Sequence, residues 1–264
     1  MAHDTSFRDI QVTSENIEVR RIGVKDLVDA LKAGYADYSA HPTFVTFLVI
    51  VYPLFALLLT LSLLGGNLLY LAFPIVAGLT LIGPVVSVAL CEMSRHREAG
   101  EDVSLRRSFE FIHTSSFAPI VALSILMMLL YVGWLYMAES IYFGRFGVNP
   151  PTTAAEFWTE LVTTERGAAL MLHGNLVGLI FAFSALAISV VSFPLLLDKP
   201  TTSITAIGVS IRAVTTNLWV MLLWGLIVVV LLAAGAVLFL LGLAAVLPIL
   251  GHATWHLYRK VVAA

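Results

Sequence analysis

Four long stretches of this chain carry no charged residue: Tyr38 to Cys91, Phe111 to Ala138, Gly167 to Leu197, and Ala213 to Tyr258. A hydrocarbon core about 30 Å thick is crossed by roughly 20 apolar helical residues. The first and last stretches are long enough for two crossings each, the middle two for one each. The 264 residues are 59% hydrophobic and 12% charged, where a soluble domain is about one-quarter charged. So much apolar surface needs lipid as its solvent. Every backbone group must be satisfied inside lipid, and no strand-like alternation of a barrel is present, so the stretches read as helices. The expected fold class is all-α: a polytopic transmembrane helical bundle of about six spans.

The spans are placed at Thr43–Leu64, Asn67–Cys91, Phe117–Ala138, Leu172–Leu196, Leu218–Ala236 and Phe239–Leu257. They form a single transmembrane domain, residues 23–264, behind an N-terminal tail, residues 1–22. The tail has no apolar run like that of a signal peptide, so the first span reads as uncleaved. Gly65-Gly66-Asn67 is a turn sequence between the first two spans. Spans five and six require a tight turn near Gly235 to Gly242, and a five-span arrangement is the alternative. Of the 15 Lys and Arg residues, only Arg145 and Arg166 fall in the segments between odd and even spans. This asymmetry places both termini in the cytoplasm. The outer loop, residues 139–171, contains Asn149-Pro150-Pro151 and a stretch, Ala154 to Leu161, suited to a short surface helix. The N-terminal segments Ile10-Gln11-Val12 and Ile17-Glu18-Val19 alternate like short extended pieces that could dock on a partner.

Amphipathic run-ups precede spans one, three and five. Leu27, Leu31, Tyr35 and Tyr38 share one helical face in Val24 to Ser39. Leu105, Phe109 and Ile112 do so in Val103 to Thr114, and Ile204, Ile207, Ile211 and Val214 in Ser203 to Thr216. The spacing and the flanking basic residues predict helices lying in the membrane interface. Pro84 and Pro248 each stand eleven positions before a basic residue, Arg95 and Arg259. Together these patterns suggest an interfacial helix plus helical hairpin used three times. The alternative is that any helix entering a membrane carries such a run-up.

The segment Gly34-Tyr35-Ala36-Asp37-Tyr38-Ser39-Ala40-His41-Pro42, at the mouth of span one, resembles the entry of an uncharacterised bacterial integral-membrane family, a domain of unknown function. Some of its members carry a cytochrome c oxidase subunit I label. The resemblance extends from about Arg20 onward. It implies a protein of the bacterial inner (cytoplasmic) membrane with several spans, and it supplies no catalytic residues.

The residues oppose the oxidase label. Haem-copper chemistry needs about six histidines inside helices at matched depths. This chain has seven in all. His3 lies in the tail, His41, His96 and His113 sit at or beyond the cytoplasmic surface, and His173 is near the outer end of span four. Only His252 and His256 have helical i, i+4 spacing. They are weak metal candidates, with Cys91 and Glu92 conceivable neighbours; the alternative is a polar pair in an aromatic belt with Trp255 and Tyr258. No cofactor is expected. Proton- or ion-coupled carriers hold ionisable groups inside the bundle, and these span cores contain none. Gly-x-Ser-x-Gly, phosphate-loop and His-Glu-x-x-His motifs are absent, so no catalytic residues are assigned. A net charge of −2 gives no field for nucleic acid.

The expected function is therefore a non-catalytic accessory or assembly subunit of a larger respiratory or photosynthetic membrane complex. Its partners would be the lipid bilayer and that complex. The alternative is a passive transporter or a lipid-binding membrane protein, with a midplane cavity lined by Thr80, Ser87, Asn175 or Ser189. Candidate interface residues are Tyr35, Tyr38, His41, Pro42, Trp158 and Trp255. Small-residue faces for close helix approach are Ala233-Ala234-Gly235-Ala236, Gly242 with Ala244 and Ala245, and Gly174-x-x-x-Gly178.

Overall fold

The computed structural model describes residues 17–43, 69–104, 106–147, 150–237 and 241–263. Span one beyond Thr43, the Gly65-Gly66-Asn67 turn, Ile10-Gln11-Val12, Leu105 and Asn149 lie outside them. Nine α-helices occur among the described residues: α1 Val24–Ala40, α2 Leu69–Glu98, α3 Phe117–Phe146, α4 Ala154–Thr163, α5 Glu165–Ser189, α6 Ser192–Asp198, α7 Ser203–Thr216, α8 Leu218–Val237 and α9 Leu241–Val261. A 3-10 helix, Arg107–His113, precedes α3. No strand is present among these residues; a lone antiparallel bridge joins Val19 to Val262. Three helical stretches are long and apolar enough to cross a membrane: Phe117–Phe146, Glu165–Asp198 and Leu218–Val237.

Small residues set the packing of the bundle. Trp134 of α3 lies between two glycines. A Cβ on Gly78 of α2 would come within 2.7 Å of its ring, and one on Gly178 of α5 within 3.1 Å. The Trp134 indole N–H donates to the Pro74 carbonyl at 2.8 Å. Gly178 thus contacts a neighbour as expected, whereas a Cβ on Gly174 would meet nothing within 4 Å. The helices α8 and α9 are separate and meet where a Cβ on Gly242 would lie 2.6 Å from Gly235. Asn217 divides α7 from α8. Its side chain accepts from Ile22 N at 2.8 Å and donates to Arg20 O at 3.0 Å, holding the chain that enters α1.

The run-ups turn a different set of residues toward the bundle from the apolar stripes read in the sequence. The inward face of α1 is Leu27, Ala30, Gly34 and Asp37, whereas Tyr35 is 60% exposed. In α7 the buried residues are Ala206, Val209, Ser210, Ala213 and Val214, and Ile204 is 83% exposed. Small side chains let helices approach, and Ala30, Gly34, Ala206 and Ala213 turn inward beside Leu27, Val209 and Val214. The run-up before span three forms a 3-10 helix with Phe109 and Ile112 exposed. The helix α3 continues past Ala138, the expected end of span three, to Phe146. Tyr70 stacks on Tyr142 with ring centroids 4.1 Å apart, and its hydroxyl donates to Glu139 at 3.0 Å. Gly147, at φ 58°, ends the helix, a conformation that glycine adopts without strain. The expected surface helix is α4, capped by Thr153, whose hydroxyl accepts from Glu156 N at 3.1 Å.

Candidate functional site

The last three turns of α9 carry His252, Trp255, His256, Tyr258, Arg259 and Lys260 directly after an apolar run. The helix α1 lies antiparallel against them. Gly34 is the closest point: a Cβ there would sit 2.5 Å from Ala253 N. Only glycine allows this approach, and it brings Asp37 into reach of both histidines.

Asp37 is the hub of the site and 7% exposed. Its Oδ2 accepts from Ser94 Oγ of α2 at 2.6 Å and pairs with His256 Nε2 at 2.7 Å. Its Oδ1 accepts from Arg97 Nη1 at 2.9 Å. Burial alone pushes the Asp37 carboxyl up, but the hydrogen bonds from His256 and Ser94 outweigh it, and the carboxyl lies below its ordinary value of 3.8. Ser94 Oγ also stands 2.8 Å from His252 Nδ1. With the Ser94 proton directed to Asp37, His252 Nδ1 is the donor, and its Nε2 is left buried without a hydrogen-bond partner.

Two further networks flank this one. Arg95 grips Glu92 through two nitrogens at 2.8 and 2.6 Å. His96 stands between acids, 3.3 Å from Glu92 and 2.5 Å from Glu101. On α9, the Trp255 indole donates to Glu98 at 2.8 Å, and Arg259 Nε donates to Glu98 at 3.0 Å. The Tyr258 hydroxyl donates to Asp198 of α6 at 2.6 Å. The helix α9 is thus bonded to α1, α2 and α6 at one end of the bundle. Residues 18–20 and 261–263 join there too: Arg20 N donates to Val261 O at 2.7 Å, and Ala263 N to Glu18 O at 3.1 Å. Ile17-Glu18-Val19, read as a piece for a partner, is docked on the chain's own C-terminal segment.

A cleft of about 680 Å³ opens beside the hub, lined in part by Asp29, Asp37, Ser94, Arg97, His256 and Lys260. A second, about 510 Å³, lies at the opposite end against α4, with Pro150, Pro151, Glu156 and Glu160 in its wall.

The structure separates the conceivable metal neighbours. Glu92 is held by Arg95 and His96, Cys91 Sγ faces Gly251 O at 3.5 Å, and the two histidines turn to Ser94 and Asp37. No group of three or more His, Cys, Asp or Glu arranged to hold a metal occurs among the described residues. Trp255 and Tyr258 are each 1% exposed, so they pack inside the bundle rather than in an aromatic belt. Of the interface candidates, Tyr35, Pro42 and Trp158 are exposed, Tyr38 and His41 half-buried, and Trp255 buried. Trp158 lies at the opposite end, on α4. His173 is also there, 3.2 Å from Arg145. Sequence reasoning missed Asp37, Ser94, Arg97, Glu98 and Asp198 as partners. One signal was present for Asp37: it stands on the small-residue face of its helix, at i+3 from Gly34.

Residues 71–198 match a family model described as "predicted integral membrane protein (DUF2189)". The matched stretch, just under half of the chain, is similar to that family. That family is the uncharacterised membrane family that the residues of the span-one entry resemble, although the match begins downstream of them. The DUF2189 segment runs from α2 to α6 and contributes Ser94, Arg97, Glu98 and Asp198 to the site; Asp37 and the α9 residues come from outside it. Neither the curated proteins nor the solved structures yield a match.

Proposed function

We propose that this integral membrane protein is a non-catalytic accessory or assembly subunit of a larger complex. It would be held in the bacterial inner membrane by six spans with both termini in the cytoplasm. The observation that carries the reading is the outward apolar surface of the long helices. Ile125, Leu129 and Val132 on α3, Leu179 and Ile180 on α5, and Leu226, Val229 and Val230 on α8 are each more than half exposed. Lipid or partner helices would cover them. On this reading α2 and α9 are spans two and six. The pairing of residues 18–20 with 261–263 supports an even number of crossings between them. Phe109, Ile112, Ile204 and Ile211 face outward, as interfacial helices require. The respiratory or photosynthetic class of the complex comes from the label borne by members of the family. Purification in mild detergent tests the proposal: stoichiometric partners are expected, and a particle that migrates alone overturns it.

A second reading, lipid binding, is favoured by the 680 Å³ cleft. Passive transport has less support. Thr80, Ser87, Asn175 and Ser189 each donate to a carbonyl of their own helix, Ala77, Pro84, Met171 and Ala185 respectively. Hydroxyls and amides closed in this way direct their donors to their own helix.

A further inference from the structure

The cleft between α1, α2 and α9 combines room with charge of both signs. The cations Arg97, Arg259 and Lys260 line it together with the carboxylates Asp29, Asp37 and Glu98. A balanced lining does not suit a bare polyanion; it suits a ligand that itself carries both signs. The pairs within it differ in tightness. Arg97 and Asp37 are 2.9 Å apart, and Arg259 and Glu98 3.0 Å. Lys260 stands 3.9 Å from Asp29 and 3.8 Å from Asp26, beyond hydrogen-bond reach. Both Lys260 and Asp29 are well exposed, at 43% and 39%. An ammonium on α9 and a carboxylate on α1 thus face each other without closing. Arg97 makes both its contacts, to Ala36 O and Asp37, through Nη1, and a guanidinium offers five donors. The height of the cleft is also informative. The apolar run of α9 ends at Gly251, and His252 to Lys260 follow at once. Such a transition marks the level of lipid headgroups.

We propose that this cleft binds the headgroup of a zwitterionic phospholipid, with the phosphate against Lys260 and Arg97 and the primary ammonium against Asp29. Lys and Arg are the usual phosphate partners, and Asp29 gives the ammonium a charge-assisted acceptor. The inference rests on the lipid-binding reading. The same chemistry is carried by free phosphoethanolamine, which lacks the acyl chains.

The test is a titration of delipidated, detergent-purified protein, with bound molecules counted by native mass spectrometry. The probes are phosphatidylethanolamine, phosphatidylglycerol and phosphoethanolamine. The variants are Lys260→Gln, Asp29→Asn and, at the opposite end, Arg166→Gln. One phosphatidylethanolamine is expected per chain, bound about tenfold more tightly than phosphatidylglycerol, the worth of one charge-assisted hydrogen bond. Asp29→Asn should abolish that preference, Lys260→Gln should weaken both lipids alike, and Arg166→Gln should leave both affinities intact. Both site variants remove only a loose, exposed pair, and an unchanged melting temperature verifies their folding. Equal affinity for the two lipids, or a preference that survives Asp29→Asn, overturns the headgroup assignment and leaves the lipid-binding reading standing. Phosphoethanolamine bound as tightly as the lipid also overturns it, in favour of a soluble ligand. If neither lipid is retained, the lipid-binding reading falls as well.

Discussion

The two ends of the bundle hold their charges in different ways. At the end that carries the termini, the polar bonds cross between elements far apart in the chain. Asp37 reaches Ser94 and His256, Trp255 reaches Glu98, and Tyr258 reaches Asp198. At the opposite end most are local. Glu156 caps Thr152 and Thr153, Arg166 pairs with Glu160, and Thr164 caps Gly167. A crossing network ties separate helices together, and its loss is felt by the whole fold. Local caps order one loop and leave the rest of the molecule alone. The terminal end is therefore expected to be the less tolerant of change.

The largest effect tests the closest contact. Gly34→Leu places a side chain where even a Cβ would lie 2.5 Å from backbone. Neither wall can yield without moving a helix, so α1 should separate from α9, at a cost of about 3 kcal/mol or more. Thermal unfolding in detergent measures this, and proteolysis near Gly23 should accelerate. A wild-type melting temperature would mean that α1 is only loosely attached and that the two ends do not differ as argued.

Asp37→Asn comes next. The amide keeps the volume but removes the charge shared by Arg97 and His256. Breaking a buried ion pair from one side costs about 3 kcal/mol. Asp37→Leu leaves Ser94 and Arg97 without their acceptor and should cost more. A melting temperature within about 1 °C of wild type for Asp37→Asn would show that the hub contributes shape rather than charge.

The pH dependence follows from the same residue. The folded carboxyl of Asp37 lies below its ordinary value, so its contribution is fully present above the unfolded value of about 3.9. It is lost as pH falls through the folded value. The groups facing it are His252 and His256 from α9 and Ser94 and Arg97 from α2. Acid unfolding below pH 4 should be steeper in the wild type than in Asp37→Asn. Identical acid limbs would assign the acid sensitivity to other carboxylates.

The helices were legible in the sequence because the bilayer imposes a length on every crossing. Leu218–Ala236 was expected, and α8 is Leu218–Val237. The inward faces were not legible, because hydrophobicity points outward when the solvent is lipid. Ile204 is 83% exposed while Ala206 and Ala213 are fully buried. Small side chains stand beside Leu27, Val209 and Val214 on the packed side of α1 and α7. The site was half legible for the same reason. His252 and His256 stood out by their i, i+4 spacing. Their acid lies more than two hundred positions away, brought close by Gly34 against Ala253, a contact that no local pattern encodes.

The smallest expected effect is at the far end. Arg166 meets Glu160 through both Nε and Nη2, so by geometry this is a well-formed ion pair. The Glu160 carboxyl is held below its ordinary value, chiefly by its hydrogen bond from Arg166. Both side chains are nevertheless in contact with solvent, at 26% and 42% exposure, and water and salt screen such pairs. Arg166→Gln should leave the melting temperature unchanged and alter only local exchange of the α4–α5 amides, read by hydrogen–deuterium exchange. A double-mutant cycle with Glu160→Gln should give a coupling near zero, whereas the Asp37–His256 cycle should not. Similar couplings in the two cycles would remove the distinction between the ends, because geometry alone, rather than burial and helix crossing, would then set the strength of an ion pair in this protein.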